Sequence, residues 1–186
     1  MTMLLTLVEF LLRSLISIVG FIFLLRAWLY VWAFSPRHPF VMFVRRVSDW
    51  WSNPVSRIIP PQGAFDWPNL LGAFLAAILT VVLHACVIHP ATFSAGMWII
   101  APFAMLLRWA LEMVGWFLII YMFTSWVNPQ SPMHYLLGTL LDPFLRPMRR
   151  LPLTIGRFDF APLLLFILLL ILQSIVLPFS QGGYIY

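Results

Sequence analysis

Lysine is absent from this chain, cysteine occurs once, and charged residues of all kinds fill only 9% of its 186 positions. An ordinary globular domain carries roughly 25% charged residues, so water is not the main solvent for this surface. The lone Cys86 excludes an internal disulfide and any CxxC or CxxCH motif for zinc or haem. There is no GxSxG elbow, no glycine loop to cradle phosphate, no HExxH, and no pair of membrane-embedded aspartates. The sequence therefore predicts a non-enzymatic protein without metal or cofactor. A basic start and a small-residue cleavage site are also missing at the N-terminus, and Glu9 interrupts its apolar stretch, so this segment is expected to be retained.

What is present is apolar, 62% of the chain, and it falls in blocks too long for soluble core helices. The first block runs from Met3 to Phe34, interrupted by Glu9, Arg13 and Arg26; Ser14 to Phe34 alone is long enough to span a ~30 Å hydrocarbon core. Leu70 to Ile88 is uninterrupted and ends at His89-Pro90, where proline cannot continue a helix. Ala91 to Val127 contains Arg108 and Glu112 and is too long for one simple crossing. Its first part is expected in the interface and the third span at Trp109 to Val127. Ala161 to Leu177 carries no charge, and Pro162 suits a first helical turn. The expected fold class is an all-α membrane protein with about four transmembrane helices.

All eleven basic residues are arginine. A guanidinium suits positions beside lipid phosphates, and a GC-rich coding sequence produces the same bias. Arg37, Arg45, Arg46 and Arg57 lie in the connection from Ser35 to Asn69, and Arg146, Arg149, Arg150 and Arg157 in that from Asn128 to Phe160. The connection around His89 to Ala95 has none. By the positive-inside rule both arginine-rich connections are cytoplasmic and both termini outside, in a bacterial inner membrane. Trp28, Tyr30, Trp32, Trp50, Trp51, Trp67 and Trp126 lie near these boundaries, where amphipathic rings anchor. Arginines divided between two loops and interrupted by tryptophan and proline do not predict nucleic-acid binding.

The two connections are copies of one another. Ser35-Pro36-Arg37-His38-Pro39 matches Asn128-Pro129-Gln130-Ser131-Pro132 at a spacing of 93, and Gly63-Ala64-Phe65-Asp66 matches Gly156-Arg157-Phe158-Asp159 at the same spacing. Asn53-Pro54-Val55-Ser56-Arg57 resembles Asp142-Pro143-Phe144-Leu145-Arg146 after a small register shift. The chain thus reads as two parallel repeats, 1–90 with spans near 3–34 and 70–88, and 91–186 with spans near 109–127 and 161–177. A parallel pseudo-twofold about the membrane normal is expected. Each connection also holds a short amphipathic helix. In the first, Phe40, Phe43, Val44, Val47 and Trp51 recur at helical spacing with Arg45, Asp49 and Ser52 opposite; in the second, Met133, Leu136, Leu137 and Leu140 share a face. Both read as interfacial helices, with packing against the bundle end as the alternative.

The second connection closely resembles the repeat of the YggT family of small bacterial and plastid membrane proteins. The residues that carry the resemblance are Asn128, Ser131-Pro132, Asp142-Pro143, Leu145, Pro147, Arg149-Arg150, Pro152, Gly156, Asp159 and Pro162. It covers nearly the whole chain, because that family also has two repeats. The first repeat keeps Asn53-Pro54, Pro60, Gly63 and Asp66 but has only Arg57 where paired arginines follow in the second. The resemblance implies envelope physiology, including tolerance of osmotic stress and assembly of membrane complexes, and no enzymatic activity.

Two kinds of candidate site follow. Arg146, Arg149, Arg150, Arg57, Arg45 and Arg46 are expected to bind anionic lipid headgroups or a partner, which is a membrane protein complex or a second copy of the chain. Arg108 with Glu112 and Glu9 with Arg13 are each four apart, so each pair shares a helix face within the membrane. Charges at that depth mark an ion path or proton relay, and the alternative function is a small oligomeric channel or transporter using Arg108 and Glu112. The structural alternative is snorkelling near the outer ends of the spans. His84 and His89, five apart, read as a polar helix end, and Asp66 and Asp159 as caps.

Overall fold

The computed structural model describes residues 2–32, 34–88, 94–150, 154–155 and 158–181, and their side chains except those of 2–5, 87–88, 154–155 and 158–159. Among the described residues there are six α-helices: α1 (Thr2–Val31), α2 (Pro39–Ser56), α3 (Trp67–Ile88), α4 (Ala95–Val127), α5 (Pro132–Arg149) and α6 (Ala161–Ser180). Two antiparallel two-residue strands, β1 (Thr154–Ile155) and β2 (Phe158–Asp159), lie between α5 and α6. Four helices, α1, α3, α4 and α6, are long and apolar enough to cross a membrane. The protein is an all-helical, multi-pass membrane protein. Helices satisfy their backbone hydrogen bonds internally, which hydrocarbon demands of any spanning segment.

The 93-residue repeat is visible in the helix boundaries, since α2 (39 to 56) reappears as α5 (132 to 149). Both begin in the same way. Ser35 Oγ accepts the Arg37 N–H at 3.3 Å and Asn128 Oδ1 accepts the Gln130 N–H at 3.2 Å. Three residues later His38 Nδ1 caps α2 through the Phe40 N–H, and Ser131 Oγ caps α5 through the His134 N–H at 3.1 Å. Pro39 and Pro132 take the first helical position, where no N–H is needed. The PxxP match is therefore a turn, a cap and a helix start. Ahead of α3, Gln62 and Phe65 exchange backbone hydrogen bonds across Gly63, whose φ of +59° favours glycine. β1 and β2 flank the corresponding place in the second repeat.

Three details differ from the sequence reading. Residues 95–127 form one 33-residue helix rather than an interfacial piece and a span. Pro102 lies inside it, and at about 1.5 Å per residue the helix exceeds the hydrocarbon thickness. The α2/α5 register pairs Asp49 with Asp142 and Pro54 with Pro147, not Asn53-Pro54 with Asp142-Pro143. The buried stripe of α2 is Val41, Val44, Ser48 and Ser52, while Phe43, Val47 and Trp50 point outward. Ser52, expected on the solvent side, is inside.

The chain divides into two compact units, Met1–Trp109 with Val176–Tyr186, and Ala110–Ile175. In the first, α1, α2 and α3 pack on one another, and small residues allow close approach, the main lever for helix association in lipid. Gly72 of α3 is one: a Cβ there would lie 2.6 Å from Trp51 Nε1 and 2.8 Å from the Phe23 ring. Gly20 of α1 meets the Trp109 ring in the same way. Ala76, Ala77, Val81 and Ala85 of α3 bury against Ala101, Met105 and Trp109 of α4. In the second unit the buried side chains are Met113, Val114, Phe117 and Leu118 of α4, five leucines of α5, and Leu165 and Leu169 of α6.

Candidate functional site

The first repeat contains a polar network built on Arg26, a charge near the end of the α1 span. Its side chain is only 14% exposed, so its charge must be met by protein groups. Nη1 donates to Asp49 Oδ1 at 2.7 Å, to Ser48 Oγ at 2.8 Å and to the Arg45 carbonyl at 3.2 Å. Nε lies 4.0 Å from Asp66 Oδ2, an ion pair without a hydrogen bond. Asn69 Nδ2 donates to the same Asp66 oxygen at 2.7 Å, and Ser52 Oγ donates to Asn69 Oδ1 at 2.7 Å. Trp51 Nε1 donates to the Pro68 carbonyl at 3.0 Å. The serines are set by helical period: Ser48 and Ser52 are four apart on the face α2 turns to α1 and α3. Asp66 sits at the start of α3, where its backbone carbonyl accepts the Leu70 N–H.

None of these residues stands out in the sequence as a group. There Arg26 is a lone charge within an apolar block, Asp49 part of a polar face and Asp66 a cap. Their partners are brought together by tertiary packing, with Arg26 and Asp49 23 residues apart.

The arginines singled out from sequence have separate surroundings. Arg45, Arg46 and Arg57 are exposed on or just beyond α2. Arg146, with its side chain 76% exposed, pairs with Asp142 one turn earlier at 2.6 Å, an exposed pair of the kind that contributes about 0.3–0.5 kcal/mol. Arg149 Nη2 donates to the Tyr121 hydroxyl at 3.4 Å. The Tyr121 ring stacks on His134 at 4.5 Å, and His134 Nδ1 lies 3.0 Å from Thr124 Oγ1. Arg150 is exposed and caps α5 through its own N–H. Of the repeat-motif residues, Asn128 and Pro132 form the start of α5, Asp142, Pro143 and Pro147 lie within it, and Pro162 is buried at the start of α6. Pro152, Gly156, Arg157, His89, Pro90 and the Asp159 side chain lie outside the described residues.

In the spans, Glu9 and Arg13 approach to 3.7 Å and are joined by a group that the sequence reading sets apart from them. His84 Nδ1 lies 2.9 Å from Arg13 Nη1 and 3.7 Å from Glu9 Oε1. That carboxylate oxygen is buried and makes no hydrogen bond. His84 is 71 residues from Arg13; the clue in the sequence is that both lie near the same end of the α1 and α3 spans. Arg108 and Glu112 are both half-buried on α4. Among the described residues, no group of three His, Cys, Asp or Glu side chains is placed to hold a metal ion.

Comparison with known proteins agrees with this architecture. The CCB3/YggT family matches residues 5–87 and 100–180, one segment per repeat. The uncharacterized protein YggT of Escherichia coli K12 is 34% identical over 175 residues, covering 93% of this chain and 90% of that protein. An uncharacterized protein of Vibrio alginolyticus is 29% identical, covering 86% of this chain and 87% of its own length. An uncharacterized protein of Haemophilus influenzae is 25% identical over 92% of each. No solved structure matches the chain. With the family covering both halves and a relative above 30% identity along nearly its whole length, the chain belongs to the CCB3/YggT family.

Proposed function

We propose that this protein is a non-enzymatic module of the bacterial inner membrane, with both termini outside, whose α2 and α5 lie in the cytoplasmic interface. There they present Arg45, Arg46, Arg57, Arg146, Arg149 and Arg150 to anionic headgroups or an acidic membrane partner. The observation that carries the reading is the outer face of these two short helices. Phe43 and Trp50 are 63% and 64% exposed on α2 and Tyr135 is 76% exposed on α5, on helices that also carry exposed arginines. A short helix with bare aromatics and arginines beside a span is built for the boundary between acyl chains and phosphates. Each arginine near an anionic surface contributes about 1 kcal/mol, so the face acts as a sum rather than through one residue. Osmotic-stress tolerance or assembly of a membrane complex is the physiological role this face would serve.

The test is retention of phosphatidylglycerol by the purified full-length protein. Replacing Arg149 and Arg150 with alanine leaves insertion intact and lowers retention of the anionic lipid or of a co-purifying partner. Unchanged binding in that variant refutes the reading. A second reading, transport through the spans, is favoured by one observation, the buried Glu9 oxygen without a hydrogen bond beside Arg13 and His84. Purified protein in liposomes would then carry flux.

A further inference from the structure

Glu9, Arg13 and His84 meet near one end of the first unit's spans. Glu9 lies three residues into the α1 span and His84 two residues from the end of the α3 span. Arg13 Nη1 is 2.9 Å from His84 Nδ1. A guanidinium can only donate, so Nδ1 is the acceptor, it carries no proton, and the imidazole is the neutral Nε2–H tautomer. Arg13 thus gives its hydrogen bond to the imidazole and stands 3.7 Å from Glu9 Oε1, which is buried and makes none. His84 Nδ1 is also 3.7 Å from that oxygen. A fixed tie between α1 and α3 would pair Arg13 with Glu9 directly and avoid the cost of a buried acceptor left unmet.

The charges acting on His84 are those of Arg13 and Glu9. α4 packs on α3 through Ala101, Met105 and Trp109. Arg108, the one charged residue of α4 within this unit, lies seven residues past Ala101, about 10 Å along the helix. Cys86 is exposed and, two positions on from His84, belongs to another face of α3. The charges of α2 gather at the opposite ends of α1 and α3, around Arg26 and Asp66. Position 177, 93 residues on from His84, is leucine, so the corresponding span of the second repeat is built without an imidazole. A proton arriving at Nδ1 turns this acceptor into a donor, and Arg13 must then let go. The new N–H has an acceptor ready in Glu9 Oε1, and a shift of about 1 Å brings the 3.7 Å separation to hydrogen-bond distance. Arg13, with its side chain 31% exposed near the end of its span, can snorkel to the headgroups, so the added charge is not stranded in hydrocarbon.

We infer that Glu9, Arg13 and His84 form a proton-binding site. Uptake of one proton from water at His84 Nδ1 exchanges the Arg13–His84 hydrogen bond for a His84–Glu9 ion pair and frees Arg13 toward the headgroups. The site binds a proton and passes no ion, so it stands apart from the arginine face and from transport. It rests on the proposed topology only for the side, the outside, from which the proton comes. The test is solid-state NMR of the isotope-labelled full-length protein in phosphatidylcholine bilayers, with the same pH on both sides, so that an error in topology does not affect it. His84→Gln removes one of the four histidine signals and thereby assigns it. At about pH 8 the His84 Nδ1 has the shift of an unprotonated acceptor and shows a contact to an arginine guanidinium; at about pH 5 it is protonated and its contact passes to a glutamate carboxyl group. Glu9→Gln lowers the proton affinity of His84 about tenfold and Arg13→Gln raises it about tenfold, the effect of one opposite or one like charge within ~4 Å. The inference is overturned if His84 stays unprotonated at about pH 5, keeps its arginine contact once protonated, or titrates alike in the wild-type and Glu9→Gln proteins.

Discussion

Replacing Arg26 with methionine removes the hub of the first repeat while keeping most of the side-chain volume. The cost is set by what the guanidinium leaves behind. Asp49 is 41% exposed and turns to water, so its loss is small. Asp66, with its side chain 7% exposed, keeps the Asn69 hydrogen bond but loses its cation, and buried Ser48 loses a donor. Breaking a buried ion pair from one side costs roughly 3–5 kcal/mol. With one carboxylate solvated and the other still hydrogen-bonded, the expected loss is near the lower end, about 3 kcal/mol, or some two decades in the unfolding constant. Adding Asp66→Asn removes the stranded charge and should recover about 1–2 kcal/mol of it. Unfolding in mixed detergent micelles, followed by the fluorescence of the nine tryptophans, measures both variants. A loss below about 0.5 kcal/mol for Arg26→Met, or a double variant as unstable as the sum of its parts, refutes the account of the network.

Gly72→Ala should cost about 1–3 kcal/mol by overpacking, because its Cβ would displace Trp51 and Phe23 and with them the Trp51–Pro68 hydrogen bond; the same micelle titration reads it. Gly63→Ala should cost about 1–2 kcal/mol by forcing a side chain into the left-handed region, and Gly63→Asn less, since asparagine tolerates that conformation. For the spans, liposomes holding the protein should show no ion or osmolyte flux above empty ones. Flux that Glu112→Gln alters would move the function from the connections to Arg108 and Glu112.

Long apolar runs are a one-dimensional signal, and so is a motif repeated at constant spacing; hence the spans and the repeat are legible in the amino-acid sequence alone. The PxxP pairs carry the helix starts because proline and the capping residue act locally. The buried face of α2 is not legible in this way. Phe43, Val47 and Trp50 are apolar and outward-facing, and hydropathy cannot say whether an apolar face meets protein or lipid when the two are equally apolar. The stripe that meets protein includes Ser48 and Ser52 because they have partners there. Arg26 with Asp49, and Arg13 with His84, depend on which helices lie side by side. The continuity of α4 is hidden because Pro102, Arg108 and Glu112 look like interruptions, and a helix in this setting tolerates all three.

The central claim is that the two repeats place both arginine-bearing connections on the cytoplasmic side. With Cys86, the chain's only cysteine, replaced by alanine, single cysteines introduced as Gln62→Cys, Gln130→Cys and Ser94→Cys occupy exposed positions in three different connections. A membrane-impermeant maleimide applied to intact spheroplasts should label Ser94→Cys alone and reach the other two only after lysis. Labelling of Gln62→Cys and Gln130→Cys from opposite sides would contradict the account.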